Sequence, residues 1–256
     1  MKIRLISDLH AEFYRRYGGF NEAHILQSKG EDVLVLAGDI AVGAFEVHRT
    51  IMRFKDAGAK HIVYISGNHE YYGGAYTEIQ ADLESALKSI PGVYHLYEGK
   101  HVNIDGVDFI GSTLWTNFRE DPLAETMSKA FISDFRVIKG FSPNLAKHLH
   151  YTDLQGMQRK YDQLSTTTKK VFVTHFLPCV EAIHPRYRVG DDWMNKYFAN
   201  DLGTWAESLE NVTWLFGHTH DSMQFRVGTT EFYCNPLGYP GEEQHGKFNN
   251  TLIIEV

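Results

Sequence analysis

The chain has 256 residues, 43 % apolar and 22 % charged, which suits one large α/β domain with a sizeable core. A formal charge of −7 without a long basic tract argues against a protein held on polymeric nucleic acid by phosphate contacts. Cys179 and Cys234 are far apart, lack zinc-site spacing and suit a reducing compartment. No apolar run approaches the roughly 20 residues needed to cross a bilayer. Met1 to Ile6 runs straight into a strand without a leader pattern, so a soluble, cytoplasmic protein is expected.

Residues 2–6 alternate polar and apolar as a first strand, with Ser7-Asp8-Leu9-His10 at its C-terminal end. A polar-aromatic connection follows to Gly30, helical near 22–28. Residues 32–37 are near-continuously apolar, the mark of a strand buried on both faces, and Gly38-Asp39 ends it. Residues 45–57 carry Phe45, Val47, Ile51, Met52 and Phe54 on a helical face, with Gly58 as the stop. Residues 60–66 form a third strand leading into Gly67-Asn68-His69-Glu70. Each polar cluster thus follows a strand, where open α/β sheets carry their sites.

A helix over 75–90 is stopped by Pro91-Gly92, and 102–110 reads as a hairpin about Asp105-Gly106. Residues 111–168 show little pattern beyond a helical stretch at 144–164; with no flexible linker at either end, they read as a cap or insertion. A strand at 170–174 presents His175, and Lys169-Lys170 at its start reads as solvated surface. A helix near 201–209 precedes a strand at 212–216, which ends at Gly217-His218-Thr219-His220. Residues 223–227 and 231–234 form a hairpin joined at Gly228-Thr229, and 251–255 close a sheet.

Each polar cluster alone has a bland explanation as a turn, and most of the fourteen histidines must be bystanders. Four clusters at strand ends, with His175, read together as one metal site. Its candidate ligands are Asp8, His10, Asp39, Asn68, His175, His218 and His220. Spacing of two residues would point Asp8 with His10, and His218 with His220, into a common volume by strand alternation. Asp39 can bridge two cations. Seven nitrogen and oxygen donors exceed one tetrahedral site and fit two divalent ions, manganese first, with iron or zinc as alternatives. Such a pair, about 3.5–4 Å apart, clamps a phosphate and activates a shared water, giving hydroxide at neutral pH. His69, beside Asn68 but projecting elsewhere, suits the general acid for the leaving oxygen.

Asp8-x-His10, Gly38-Asp39, Gly67-Asn68-His69-Glu70, His175 and Gly217-His218-x-His220, in this order, resemble the calcineurin-like metallophosphoesterase superfamily. The resemblance spans positions 8 to 220. It implies an α/β fold of four layers, two facing mixed sheets flanked by helices, as a single domain over 1–256 with the cap at 111–168. It also implies that Asp8, His10, Asp39 and His220 hold one metal. Asp39, Asn68, His175 and His218 would hold the other, with His69 as the catalytic imidazole. The Ser/Thr protein phosphatase branch follows Gly-Asp with a second Asp and an Arg; here Ile40-Ala41-Val42-Gly43 stand instead. The opening Ser7-Asp8-Leu9-His10 is more similar to small phosphodiesterases of bacterial and phage type.

The expected activity is therefore hydrolysis of phosphate esters, diesters favoured, on small substrates that include nucleotides. A phosphomonoesterase, a nuclease and a non-catalytic scaffold of the same fold are the competing readings; the complete donor set and His69 weigh against the scaffold. Arg136 and Arg186 could grip phosphate, and Tyr187 or Trp115 could stack on a base. The alternative is that Arg136 pairs with Asp134 and the aromatics pack the cap. Asn235-Pro236-x-Gly238 reads as a turn near the site. Nothing in the pattern specifies an oligomeric state.

Overall fold

A computed structural model describes residues 1–17, 22–188, 193–241 and 247–256. Two mixed sheets face each other. The first has the order β11-β1-β2-β3-β4, from Ile253–Glu255, Lys2–Ile6, Val33–Ala37, His61–Ile65 and Val93–His95. All neighbours are parallel except β11 against β1. The second sheet, β5-β6-β7-β8-β10-β9, uses Lys100–Ile104, Val107–Gly111, Lys169–Val173, Val212–Phe216, Thr230–Cys234 and Met223–Val227. Here β5 and β9 are the antiparallel edges, and β6, β7, β8 and β10 run parallel.

Strand alternation builds the layers. Ile3, Leu5, Val33, Val35, Val63 and Ile65 from the first sheet meet Phe109, Val171, Val173 and Leu215 from the second in an inner core. The opposite residues, Leu34, Leu36, Ile62 and Tyr64, pack under α2 (Gly43–Asp56) and α3 (Tyr76–Leu87). On the far side Phe172, Trp214 and Phe232 pack with Met157 of α6 (Pro143–Gln163) and Ala206 of α8 (Gly203–Ser208). This is the expected helix-sheet-sheet-helix order. The short helix α1 (Ala23–Leu26) lies within the region read as partly helical.

Residues 111–168 hold α4 (Pro122–Phe131), α5 (Asp134–Val137) and α6. The last of these lies against β5 and β6, while α4 packs on α7 (Trp193–Phe198). A fourth apolar cluster, with Trp115, Phe118, Phe141, Phe176, Tyr71 and Tyr197, ties this segment to the site end of the sheets. Lys170 departs from the surface reading: it is buried, and its ammonium donates to the Ser165 and Thr168 carbonyls at 2.7 and 2.9 Å. Cys179 and Cys234 are both buried and free. No helix among the described residues is long and apolar enough to cross a membrane.

Candidate metal centre

β1 and β8 stop at Ile6 and Phe216, so Asp8, His10, His218 and His220 lie beyond the strands. Strand alternation is therefore not what converges them. Each takes left-handed backbone, with φ of 53°, 47°, 71° and 53°, and Asp39 does the same at 53°. Asp and His tolerate this region better than most residues, yet it costs on the order of 1–3 kcal/mol at each position. The loops brace one another against that strain. Asp8 N–H donates to the Gly38 carbonyl and His10 N–H to that of Asp39, both at 3.0 Å. His218 N–H donates to Asp8 Oδ1 at 3.1 Å.

The motif glycines leave the space these donors fill. A Cβ on Gly38 would sit 2.5 Å from His175 Nδ1, one on Gly67 2.1 Å from Asp39 Oδ1, and one on Gly217 2.9 Å from Asp8 Oδ2.

Asp39 Oδ2 is the meeting point, 3.4 Å from His175 Nε2, 3.8 Å from His10 Nε2 and 3.9 Å from His69 Nε2. To one side His10 Nε2 and His220 Nε2 stand 3.1 Å apart, with His220 Nε2 3.5 Å from Asp8 Oδ1. To the other, His175 Nε2 is 3.2 Å from both Asn68 Oδ1 and His218 Nδ1. The seven residues expected as ligands thus fall into two adjoining groups that share Asp39.

A surrounding layer aims the donors. His175 Nδ1–H donates to the Ala37 carbonyl at 2.9 Å, leaving Nε2 to the cluster. Asn68 Nδ2 donates to Asp134 Oδ1 at 3.1 Å, which turns Oδ1 inward. Asp134 also accepts from the hydroxyls of Tyr72, at 2.7 Å, and Tyr197. Glu12 Oε1 lies 3.0 Å from His10 Nδ1 and 3.1 Å from His69 Nδ1, so one carboxylate sets two rings. Glu70 accepts from the backbone N–H groups of Asp39, Ile40 and Gly67 at 3.1, 2.8 and 2.8 Å, clamping two motif loops together. Tyr239 OH lies 3.3 Å from His69 Nε2.

The donor chemistry fits a cation. In each group ring nitrogens approach a second nitrogen or oxygen at 3.1 to 3.2 Å, and with the rings neutral a shared cation would satisfy the converging lone pairs. Burial alone would lower His175, but the adjacent Asp39 carboxylate raises it to about 10. Burial pushes His218 well down, with His175 adding to the effect, so its imidazole is neutral, the form that ligates. No thiolate is present in either group.

The sequence profile of calcineurin-like phosphoesterases matches residues 1–222. The chain belongs to that family. An uncharacterized protein of Acanthamoeba polyphaga mimivirus is 27 % identical over 278 residues, covering 99 % of this chain and 96 % of its own. Among solved structures, the phosphopantetheinyl hydrolase of Mycobacterium tuberculosis has a TM-score of 0.72 at 16 % identity. That match covers 95 % of this chain and 91 % of the other. A dimetal phosphatase from Danio rerio has a TM-score of 0.53 at 13 % identity, covering 91 % and 86 %. At these identities the solved structures speak for the shared fold.

Membership of the calcineurin-like phosphoesterases implies a phosphoester hydrolase that uses divalent metal ions, and the two donor groups can hold such ions. They open into a cleft of about 510 Å³. Arg186 and Tyr187 line it. Arg186 Nη2 is 2.8 Å from Asp221 Oδ2, and its guanidinium stands over the Tyr187 ring at 4.6 Å. Arg136 is exposed on α5, donates to the Ala130 carbonyl at 3.2 Å and is not among the lining residues. Its neighbour Asp134 turns inward instead and takes Asn68, Tyr72 and Tyr197 rather than Arg136. Trp115 is 1 % exposed among Phe141, Phe176 and Tyr71, so it packs the core and cannot stack on a base. The Asn235 turn does reach the site: Leu237 N–H and Gly238 N–H donate to the Ser7 and Asp8 carbonyls, both at 3.0 Å, which delivers Tyr239.

Proposed function

We propose that this protein hydrolyses phosphodiesters of small alcohols, with Asp8, His10, Asp39 and His220 holding one divalent ion and Asp39, Asn68, His175 and His218 the other. Manganese suits the donor set first, with iron or zinc as alternatives. Bound there, the pair would supply Lewis-acid activation of water and of the phosphoryl oxygens.

The chain's own residues do the rest. His69 N–H donates to Asp39 Oδ1 at 2.9 Å and holds that carboxylate with Oδ2 toward both groups. Glu12 accepts from His69 Nδ1, so Nε2 is the atom presented to the cleft, where it can give its proton to the leaving oxygen. Burial opposes a charge on His69, yet Asp39 and Glu12 raise its imidazole to about 9, the protonated form an acid needs at neutral pH. The ring is held by stacking on Tyr72, centroids 4.1 Å apart.

The observation that favours diesters is the scarcity of cationic side chains around the phosphate. Where the protein phosphatase branch follows Gly-Asp with a second Asp and an Arg, this chain has the uncharged stretch Ile40-Ala41-Val42-Gly43. Among the described residues lining the cleft, Arg186 is the one Arg or Lys, and it is already paired with Asp221. A singly charged diester needs less compensation than a doubly charged monoester.

The test is turnover of an aryl phosphodiester against the matching monoester by manganese-loaded protein, repeated with His69→Ala. Diester preference is expected, and the variant should keep its metal while losing about 10²-fold or more in turnover. Monoester preference would support the phosphomonoesterase reading. Undiminished turnover in His69→Ala would remove the acid role.

A further inference from the structure

Beside the metal cleft lies a second, smaller cavity of about 180 Å³. Tyr187, Phe198 and Thr219 belong to the walls of both. The remaining walls are Leu177, Ile183 and Met194, together with Asn195, whose amide nitrogen is engaged with the Tyr187 carbonyl at 2.7 Å. The interior is thus apolar, unlike the cleft it adjoins. We propose that this cavity is a subsite for the alcohol portion of the ester. The substrate class that follows is a phosphate ester carrying one aromatic ring or a short branched aliphatic group close to phosphorus. The inference rests on the reading that the cleft binds a phosphate ester.

Position argues for this occupant. Phe198 stacks on the ligand candidate His218, centroids 4.6 Å apart, and Thr219 separates His218 from His220 in the chain. A group attached to a phosphate at the donor groups therefore has the cavity as its neighbour. Size argues for one ring, since cavities of about 150 Å³ lined by Leu, Ile and Phe bind benzene. Exposure argues for a ligand rather than for folding. Tyr187 and Met194 are each 48 % exposed, two large apolar side chains left accessible on the same small cavity. Phe131, 62 % exposed on the cleft wall, extends the apolar border.

The experiment measures binding of phenylphosphonate and methylphosphonate to manganese-loaded protein by calorimetry. Neither has an ester bond to cleave, so leaving-group reactivity plays no part. Phenylphosphonate should bind about 10-fold tighter or more, the effect of burying one ring. In Met194→Asp, a change at a position 48 % exposed, that ratio should fall toward one. Equal affinities in the wild type, or an undiminished ratio in Met194→Asp, would overturn the subsite while leaving the phosphoesterase reading intact. Binding of neither phosphonate would overturn the subsite, while the turnover of the aryl phosphodiester tests the phosphoesterase reading on its own.

Discussion

At Gly67 a single methyl group would lie 2.1 Å from Asp39 Oδ1, 2.6 Å from the Asp39 backbone nitrogen and 2.7 Å from His175 Nε2. Two candidate ligands would have to move, so Gly67→Ala should weaken manganese binding by about 10-fold or more, the scale seen when ligand orientation is disturbed. Titration calorimetry reads this directly, and an unchanged affinity would show that the ligands do not depend on that space. The donors were legible because each pairs a chemically distinctive side chain with a strand end. Their backbone was not, since spacing alone suggested strand alternation where left-handed turns do the work. Glu12 and Tyr239 were missed for a different reason. Each is an ordinary surface-type residue in its own stretch and meets His69 only after folding. The one available signal was Glu12 following Asp8-x-His10 at the next alternate position.

Among the helices, α6 carries a test in which propensity and packing disagree. Gly156 lies in its interior, where alanine would ordinarily stabilise by about 1 kcal/mol. A Cβ there would meet the Glu98 carbonyl oxygen at 2.1 Å, and one on Gly99 would meet Gly156 carbonyl carbon at the same distance. Backbone cannot yield as a side-chain end can, so Gly156→Ala should destabilise the protein by about 1–3 kcal/mol in denaturant melts. Stabilisation would refute the close approach. Asp153, on the same helix, accepts from Leu114 N–H at 2.9 Å, and burial raises its carboxyl to about 7. The folded chain then keeps a proton that the unfolded chain releases near pH 4, so stability falls as pH rises from about 4 to about 7 and levels off above. Asp153→Asn removes that slope. The melting temperature of the variant relative to wild type should therefore rise between about pH 5 and about pH 8, and a constant difference would contradict the assignment. Legibility varied by element in the same physical way. Long amphipathic α2 and α3 and the apolar strands were clear in sequence. The four-residue α5 has too few turns for periodicity to say that Asp134 faces in and Arg136 out. The start of α4 was marked by Asp121, whose carboxylate caps Leu123 and Ala124, and by Pro122 at the first turn, a signal the weak pattern around it obscured.

At the scale of the molecule, two sheets pressed face to face bring together residues as distant in sequence as Asp8 and His218. The inner core is apolar and fully buried, and the strained loops at its edge are held by hydrogen bonds from both sheets. Rigid strands thus carry the conformational cost of a preorganised donor set. This architecture was expected from the order of elements and the resemblance. What it adds is the cleft wall, built from α4, α7 and the Arg186 loop, whose shape no local pattern announces. The central claim is that the seven donors hold two divalent ions bridged by Asp39. Its most direct test is anomalous diffraction from crystals grown with manganese. Two peaks are predicted, one among Asp8, His10 and His220 and one among Asn68, His175 and His218, with Asp39 between them. A single peak, or manganese bound elsewhere, would contradict it.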